Sequence, residues 1–578
     1  MTNLSKHQIL EWIEPKNDPK WQQAIIHEFN IHPVIAQVLV SRNFKNFADI
    51  HAYLYAKLPN LLDPALFIDM EKAVTRIYSA LKAKEPVLVF GDNDVDGITG
   101  TALLVEFLRY IGIEAHFCMA NRNTSTGGIL TDAKQYALNH GCKLLITVDC
   151  GVTAGHEIAE FVNNGIDVII TDHHEPTAGI PHCIATLNPK LLHNTYPNRD
   201  LTGVGVAFKL AHALANDLIK TKEVSSLKVD LKRYLDLAAL GTIADMGSLL
   251  GENRILVRYG LKQLKKTKRI GLTKLLDVCD VNEQDTTTID IASKVAPRLN
   301  SLGRIADPVK GVDLLLMKDA AAAEALAKEL ELNNIERQRI ERKDSEDIEN
   351  YIAAHPEILT QKAIVLASPK WHPGIIPILT ARISKQYNRP TLIIAIDQGI
   401  GKGSLRTIPE FPLLPTLKSN SHLLINFGGH DYAAGLSIDE KNIEAFTANF
   451  IEAASHSLKE ADLIPKLYLD AKVKFEDLTF DFLESLHLLE PFGTGNSPPI
   501  LYSEATQIWP PKIVGKIHLK LYLQQNDRVL EGIAFGLGDR RHEICKKNIT
   551  LKVAFTPYVN NFLNKSSIQL LIKDFKEA

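Results

Sequence analysis

A parallel sheet is the strongest constraint in this chain. Between residues 85 and 190 the segments VLVF, ITGTALLVEFLRYIG, KLLITVD, AGHEIAEFVNNG, DVIITD and CIATLNP alternate short apolar runs with helical patterns. The runs have strand length, are rich in Val and Ile, and are spaced as a βαβ series would be. Such a series folds as α/β, with helices on both faces of the sheet. Helical sequence continues over about 201–320, including GVAFKLAHALANDL and LKRYLDLAALGTIADM, as part of the same domain.

The pattern then changes twice. Residues 319–353 hold no Gly or Pro and are dense in strong helix formers and mixed charges, as in a long solvated connecting helix. KAIVLAS, TLIIAID and LLINFGGHDYAAGLSI punctuate a second, smaller α/β unit. From about residue 463, KIHLKLYLQQ, VLEGIAFGLG, ITLKVAFTPYV and SIQLLIKDF read as short strands of a small antiparallel barrel or sandwich. The expected division is a helical segment over 1–50, a parallel-sheet domain over 51–318, a connecting helix over 319–356, a smaller α/β domain over 357–460 and a β-barrel over 461–578. In the barrel, Ile517, Leu519, Leu521 and Leu523 alternate with Lys516, His518, Lys520 and Tyr522. One apolar face and one basic, partly aromatic face suit an OB-fold on single-stranded nucleic acid. An ordinary half-buried strand has the same pattern.

In an open parallel sheet, ligands bind beyond the carboxyl ends of the strands, where the loops converge. Those ends carry one chemistry here. The first run ends in GDNDVDG (Asp92, Asp94, Asp96), the second in TVDCG (Asp149) and the third in TDHHEP (Asp172, His173, His174), while Asp245 follows an apolar helical stretch in AALGTIADMGSL. Carboxylates so close together repel and raise one another's pKa unless something positive neutralises them. Asp oxygens and imidazole nitrogens without thiolate suit Mn2+ or Mg2+. The candidate ligands outnumber what one octahedral ion takes from protein, which points to two divalent ions with Asp149 as the bridge. A single Asp after a strand is more often a helix cap, so it is the succession of loaded strand ends that argues for metal. TGVGVAF (202–208) lacks a preceding strand and is not a dinucleotide fingerprint.

A net charge of −3 gives no overall attraction to nucleic acid, so a polyanion must be held by local basic surface or by metal ions. KQLKKTKR (262–269) is either an exposed helix end or part of a phosphate path. The six cysteines form no CxxC pair, which excludes a zinc ribbon and a disulfide framework and fits a reducing cytoplasm. The N-terminus lacks the apolar core of a signal peptide, and no window approaches the ~18 apolar residues of a membrane span. No membrane partner is expected.

Taken in order, FGDNDVDGITGTALL, TVDCGVT, TDHHEP, LNPK, LTGVGVAFKL and ALGTIADM resemble the motifs of the DHH phosphoesterase superfamily, named for the Asp172-His173-His174 tripeptide. VAPRLNSLGRIADP, WHPGIIPILTARI, KGSLRTI, NFGGHDYAAGLSI, EPFGTGNSPP and VGKIHLKL extend the resemblance over nearly the whole chain beyond about residue 50, toward the bacterial single-strand-specific exonucleases of that superfamily. The resemblance implies a DHH domain, a DHHA1-type domain and a C-terminal OB-fold. It implies that Asp94, Asp96, Asp149, His173 and Asp245 hold two ions, Mn2+ or Mg2+, with Asp92 a further ligand or an outer partner, and that His174 contacts the scissile phosphate or assists proton transfer. By the same match Arg298, Asn300 and Arg304 approach the substrate phosphate, and Ser404, Arg406, Gly429 and His430 grip the nucleotide near the 5′ end. Arg suits this task through its planar donor fork, and Gly428-Gly429 lets backbone amides approach an oxyanion. The chain departs from the pattern at Asn93, where Tyr is usual, at NRNTSTGGIL (121–130), and at Pro377, where Gly is common.

The implied activity is 5′→3′ hydrolysis of single-stranded DNA in recombination and repair, in the cytoplasm, with a single-strand-binding protein and a helicase as possible partners. Two alternatives stay open. A nanoRNA or cyclic-dinucleotide phosphodiesterase would use the same site, but the C-terminal β segment argues against it. A non-catalytic replication scaffold would not need the acidic positions, all of which are present.

Overall fold

The computed structural model describes residues 10–120, 130–176, 179–221, 230–545, 548–562 and 565–578. The chain divides into two units: Lys57–Leu458 with Gly493–Asn496, and the segment up to Ala56 with Lys459–Phe492 and Ser497–Ala578. Among the described residues, no helix is long and apolar enough to cross a membrane.

The larger unit opens with strands β1 (Val87–Gly91), β2 (Ala115–Met119), β3 (Leu144–Val148), β4 (Asp167–Thr171) and β5 (Ala185–Leu187), in the spatial order β2-β1-β3-β4-β5. All pairings are parallel. Alternation along the strands feeds two cores: Val87, Val89, Leu144 and Ile146 pack on one face, and Leu88, Phe90, Leu145 and Val168 on the other. This is why β1 and β3 read as continuous apolar runs rather than as alternating ones. The order also reverses at one place. β2 lies on one side of β1 and β3 on the other, so a crevice opens beyond the carboxyl ends of β1 and β3.

Six helices of this unit matter for the site: α1 (Val95–Tyr110), α2 (Gly203–Thr221), α3 (Leu235–Ala244), α4 (Ile270–Val278), α5 (Ala296–Ile305) and α6 (Ala320–Ala354). α1 is buried along most of its length and packs against α2 and α3. α6 runs for 35 residues behind a cap in which Asp319 accepts from the Ala322 amide. It is solvated on one side only: Ala323, Ala327, Leu330, Asn334 and Arg337, at helical spacing, are buried, and the helix packs against α4 and α5. A second sheet follows, built from β6 (Ile364–Ser368), β7 (Thr391–Asp397), β8 (Ile400–Arg406), β9 (Leu424–Gly429) and β10 (Ala433–Asp439) in the order β9-β10-β8-β7-β6. Only β6 and β7 are parallel. Pro377 occupies the first turn of the helix Ile376–Tyr387, where the missing amide proton removes no intrahelical bond.

The smaller unit holds a seven-stranded sheet in which Leu501–Gln507 pairs with both Ile549–Phe562 and His518–Gln525, closing a barrel. Ile25, Ile35, Leu39, Ile50 and Leu54 from the N-terminal helices share one core with Phe475, Leu519, Leu521, Leu551 and Phe555. Glu11–Ile13 also runs parallel to Lys466–Tyr468. The expected apolar face is buried at Leu519, Leu521 and Leu523, but Ile517 departs from it. It is 60% exposed, because the strand begins only at His518. On the other face Lys520 pairs with Glu531 at 2.9 Å, and Lys512 and Lys520 both lie over the ring of Tyr522.

Candidate metal centre and phosphate grip

The crevice between β1 and β3 is where the sequence concentrates its acids, and local backbone chemistry fixes each one. Asp94 caps α1, its Oδ1 accepting from the amides of Asp96 (3.0 Å) and Gly97 (3.1 Å). Gly97 is required here, since a Cβ would lie 2.3 Å from the Asp92 carbonyl oxygen. Asp96 points inward and accepts from the amides of Gly203 (2.6 Å) and Val204 (2.9 Å) at the start of α2. A side chain at Gly203 would collide with Asp149. The TGVGVAF segment therefore serves the acids rather than a dinucleotide. Asp149 follows β3 with a φ of 62°, a left-handed conformation that Asp tolerates better than most residues and that turns its carboxylate into the crevice. Asp245 ends α3.

These groups converge. His173 Nε2 lies 3.0 Å from Asp149 Oδ1, 3.7 Å from Asp245 Oδ2 and 3.9 Å from Asp96 Oδ2. Three sets of ligand atoms each gather within 4.8 Å: Asp96, His173 and Asp245; Asp92, Asp94 and Asp149; and Asp149, His173 and His174. Asp149 Oδ1 and His173 Nε2 are both buried without a hydrogen-bond partner, although they face each other. The charges are uncompensated. Burial, then Asp245 and Asp94, hold Asp96 well above the usual carboxylate range, and burial and the same neighbours raise Asp149. Asp245 is pushed up to about 7 by burial and Asp94. Burial, reinforced by His174, keeps the His173 imidazole neutral.

His174 belongs to a different arrangement. Asp172 Oδ1 accepts from the His173 amide (2.7 Å) and the His174 amide (3.0 Å) and meets His174 Nδ1 at 2.8 Å, while Oδ2 takes the Val152 amide at 2.9 Å. Asp172 is thus spent on holding its two neighbours. Burial opposes the His174 charge, but the Asp172 contact outweighs it and raises His174 to about 9. His430, just beyond β9, stacks on His174 from the second sheet, with ring centroids 6.0 Å apart and planes 7° from parallel.

Beside His430 the second sheet gathers Ser404, Arg406 and Gly429. The Arg406 guanidinium bonds the Leu405 carbonyl at 2.7 Å and Ser404 Oγ at 3.4 Å. It has no carboxylate partner among the described residues, and burial lowers its pKa. Gly429 has a φ of 136°, and a Cβ there would lie 2.4 Å from the Ala433 carbonyl. Of the three residues expected on α5, Asn300 is at the centre, its Oδ1 accepting from the Val95 amide at 3.2 Å. Arg304 donates to the Gly374 carbonyl at 2.9 Å. Arg298 is engaged elsewhere, by Glu331 of α6 (2.5 Å) and the Lys294 carbonyl (2.7 Å). Asn93 is buried and reaches the Gly303 carbonyl at 3.5 Å. Residues 121–129 lie outside the described residues. The sequence reading set Asp172 among the strand-end acids without this holding role, and gave none to Lys190, whose charge reaches His173, Asp245 and His430. The signal for Asp172 was its place one residue before two imidazoles, where a carboxylate can reach both backbone amides.

A parallel sheet with acids at its switch point, joined to a second sheet that brings an arginine with no carboxylate partner among the described residues, defines a DHH-type phosphoesterase. The DHH family, N-terminal domain, matches residues 86–242, the DHHA1 domain residues 360–456, and the RecJ OB domain residues 469–574. Among relatives, the single-stranded-DNA-specific exonuclease RecJ of Haemophilus influenzae is 32% identical, over 94% of this chain and 96% of that protein. RecJ of Bacillus subtilis is 32% identical over 98% of this chain and 70% of its own length. The crystal structure of Thermus thermophilus RecJ in complex with Mn2+ superposes with a TM-score of 0.81 at 28% identity, covering 98% of this chain and 80% of that one. The chain belongs to the RecJ family.

Proposed function

We propose that this chain is a divalent-metal-dependent exonuclease that hydrolyses single-stranded DNA from the 5′ end. The observation that carries the reading is the bare, buried pair of Asp149 Oδ1 and His173 Nε2 inside a ring of carboxylates. Two donor atoms that face each other without bonding, among acids pushed above their normal range, suit a shared cation. The relatives are named for single-stranded DNA, and the Thermus structures contain Mn2+ and Mg2+.

Asp96, Asp149, His173 and Asp245 would hold one ion, and Asp92, Asp94 and Asp149 the other, with Asp149 shared. Bound there, the cations would polarise the phosphoryl group, lower the pKa of the attacking water and stabilise the leaving oxygen. The protein's own groups orient and neutralise. The Gly203 and Val204 amides fix Asp96, and Asp172 holds His174 by Nδ1, leaving Nε2 to face the phosphate and serve the proton transfer. The stacking of His430 on His174 supports a reading in which the scissile linkage would lie between the two sheets. Arg406, Ser404 and the open backbone at Gly429 take the terminal phosphate, where a guanidinium fork without a carboxylate is suited to a phosphate. Asn300 steadies the start of α1, and Arg304 ties α5 to the second sheet.

The free cysteines support a reducing, cytoplasmic setting. A single-strand-binding protein and a helicase are the protein partners that the reading carries. A time course on 5′- and 3′-labelled single- and double-stranded DNA, with Mn2+ or EDTA, tests the function. Mononucleotides should leave the 5′ end of single strands only, and only with metal. Metal-independent digestion, or equal attack on duplex, would overturn the reading.

A further inference from the structure

Asp245 lacks the supports that fix its neighbours. Asp94 and Asp96 each accept from two backbone amides, and Asp149 is buried against Gly203. The Asp245 side chain is 27% exposed, accepts no hydrogen bond among the described residues, and has His173 Nε2 at 3.7 Å as its ion-pair contact. It also stands at the C-terminal end of α3, where the free carbonyls of the helix repel a carboxylate. Its position therefore depends on the chain that follows it.

That chain is tied down at two places. Directly behind Asp245, the Met246 amide donates to the Ile243 carbonyl (3.2 Å) and the Gly247 amide to the Thr242 carbonyl (3.0 Å), the two bonds that close a helix through a left-handed residue. Met246, with a φ of 58°, is that residue. A Cβ on Gly247 would lie 2.6 Å from Thr202 Cγ2, so the loop packs on the residue that precedes the Gly203 and Val204 amides. Two residues on, the Leu249 amide donates to the Thr494 carbonyl at 2.8 Å. Thr494 belongs to EPFGTGNSPP, and Gly493–Asn496 of that motif is part of the larger unit. Gly493 and Asn496 exchange backbone bonds of 2.9 and 3.0 Å, and Gly495 has a φ of 72°, the geometry of a type II turn centred on Thr494 and Gly495. The rotation of the central peptide in such a turn sets where the Thr494 carbonyl points, and it points at Leu249. The fit is close. A Cβ on Gly493 would lie 2.6 Å from Leu249 Cδ1, and one on Gly495 would lie 2.6 Å from Ser248 Oγ.

We propose that the Gly493–Asn496 turn is a positioning element of the metal centre, holding the Met246–Leu249 loop so that Asp245 stays turned toward His173 against the repulsion of the other acids. This role presupposes the two-ion centre of the proposed exonuclease. A turn that served folding alone would change stability and leave metal affinity as it was. Calorimetric titration of the full chain with Mn2+, with melting in EDTA alongside, separates the two. In Gly495→Val a β-branched residue does not sustain a left-handed φ, so the central peptide should rotate and withdraw the Thr494 carbonyl from Leu249. One of the two Mn2+ ions should then bind about tenfold more weakly, and the other within about threefold of wild type, because Asp92, Asp94 and Asp149 are untouched. Thr494→Pro, which suits a type II turn and keeps the carbonyl, should leave both affinities unchanged. Gly493→Val wedges a side chain against Leu249 without a left-handed requirement and should repeat the loss, so the result does not hang on Gly495→Val folding. At saturating Mn2+, kcat should return to within about threefold of wild type. Unchanged Mn2+ affinity in the folded variants, or equal weakening of both ions, would overturn the positioning role alone. A wild type that binds no Mn2+ would remove the metal centre and this role with it.

Discussion

The two sheets of the larger unit present opposite charges with the same imbalance. Beyond the first sheet, Asp92, Asp94, Asp96, Asp149 and Asp245 gather with only the His174 imidazolium and the edge contribution of Lys190 to offset them among the described residues. Beside the second, Arg406 is half-buried with no acid to meet it among the described residues. The negative side is locked by backbone: a helix cap, a pair of amides and a left-handed aspartate. The positive side is held more lightly, by one carbonyl and one hydroxyl. The difference fits the proposed division of labour, in which the rigid side would hold ions at fixed distances and the lighter side a substrate group that arrives and leaves.

The sharpest way to break this comparison is Asp149→Ala. Loss of the shared ligand should cut Mn2+-dependent turnover by about 10³-fold or more, while circular dichroism and melting in EDTA remain those of a folded protein. Full activity would remove the bridging role. Asp172→Asn should cost about 10²-fold in kcat, because His174 loses the partner that orients it and keeps it charged. Manganese content, measured by metal analysis, should not change, which separates this positioning role from ligation. Arg406→Ala should raise KM for a 5′-phosphorylated oligonucleotide about tenfold with a smaller change in kcat, and should matter less when the 5′ phosphate is absent.

The acids also predict how the metal-free protein responds to pH. Asp245 titrates near 7 in the folded state, and unfolded aspartate near 4. Between those values the folded chain holds protons that the unfolded chain has released, so stability falls as pH rises through that window. Melting in EDTA should show a loss on the order of 3 kcal/mol between pH 4 and 7, and Mn2+ should reverse it. The smallest effect belongs to Arg298→Ala. Its pairing with Glu331 makes it a clamp between α5 and α6, so a loss of about 1 kcal/mol in stability with turnover nearly intact is expected. A loss of about 10²-fold in turnover would return it to the phosphate.

The parallel sheet and its acids were legible because strand runs and strand-end residues are local signals. Asp94 and Asp96 sit in one motif with Gly97, which opens the helix, but that Asp94 caps that helix and Asp96 turns inward to distant amides emerged only in the structure. Asp245 was harder, a lone acid after an apolar helix, and only the succession of strand-end acids made it a candidate. What the sequence hid depends on distant segments. The Gly203 and Val204 amides meet Asp96 across more than a hundred residues of chain, and no periodicity announces that. Arg298 looked free because Glu331 lies on a helix whose charges read as solvated. Ile517 fitted an alternation that the turn before His518 interrupts.

One feature of the smaller unit bears on how the molecule is made. Ile25, Ile35, Leu39 and Leu54 share their core with Phe475, Leu551 and Phe555, although Lys57–Leu458 of the larger unit is inserted between them in the chain. On the ribosome, those first helices emerge with their apolar faces bare and stay so while some four hundred residues are synthesised. A nascent chain of this design has a long interval in which its opening segment is open to chaperones, to proteases and to other nascent copies. Any nonsense truncation within the barrel would strand that segment for good.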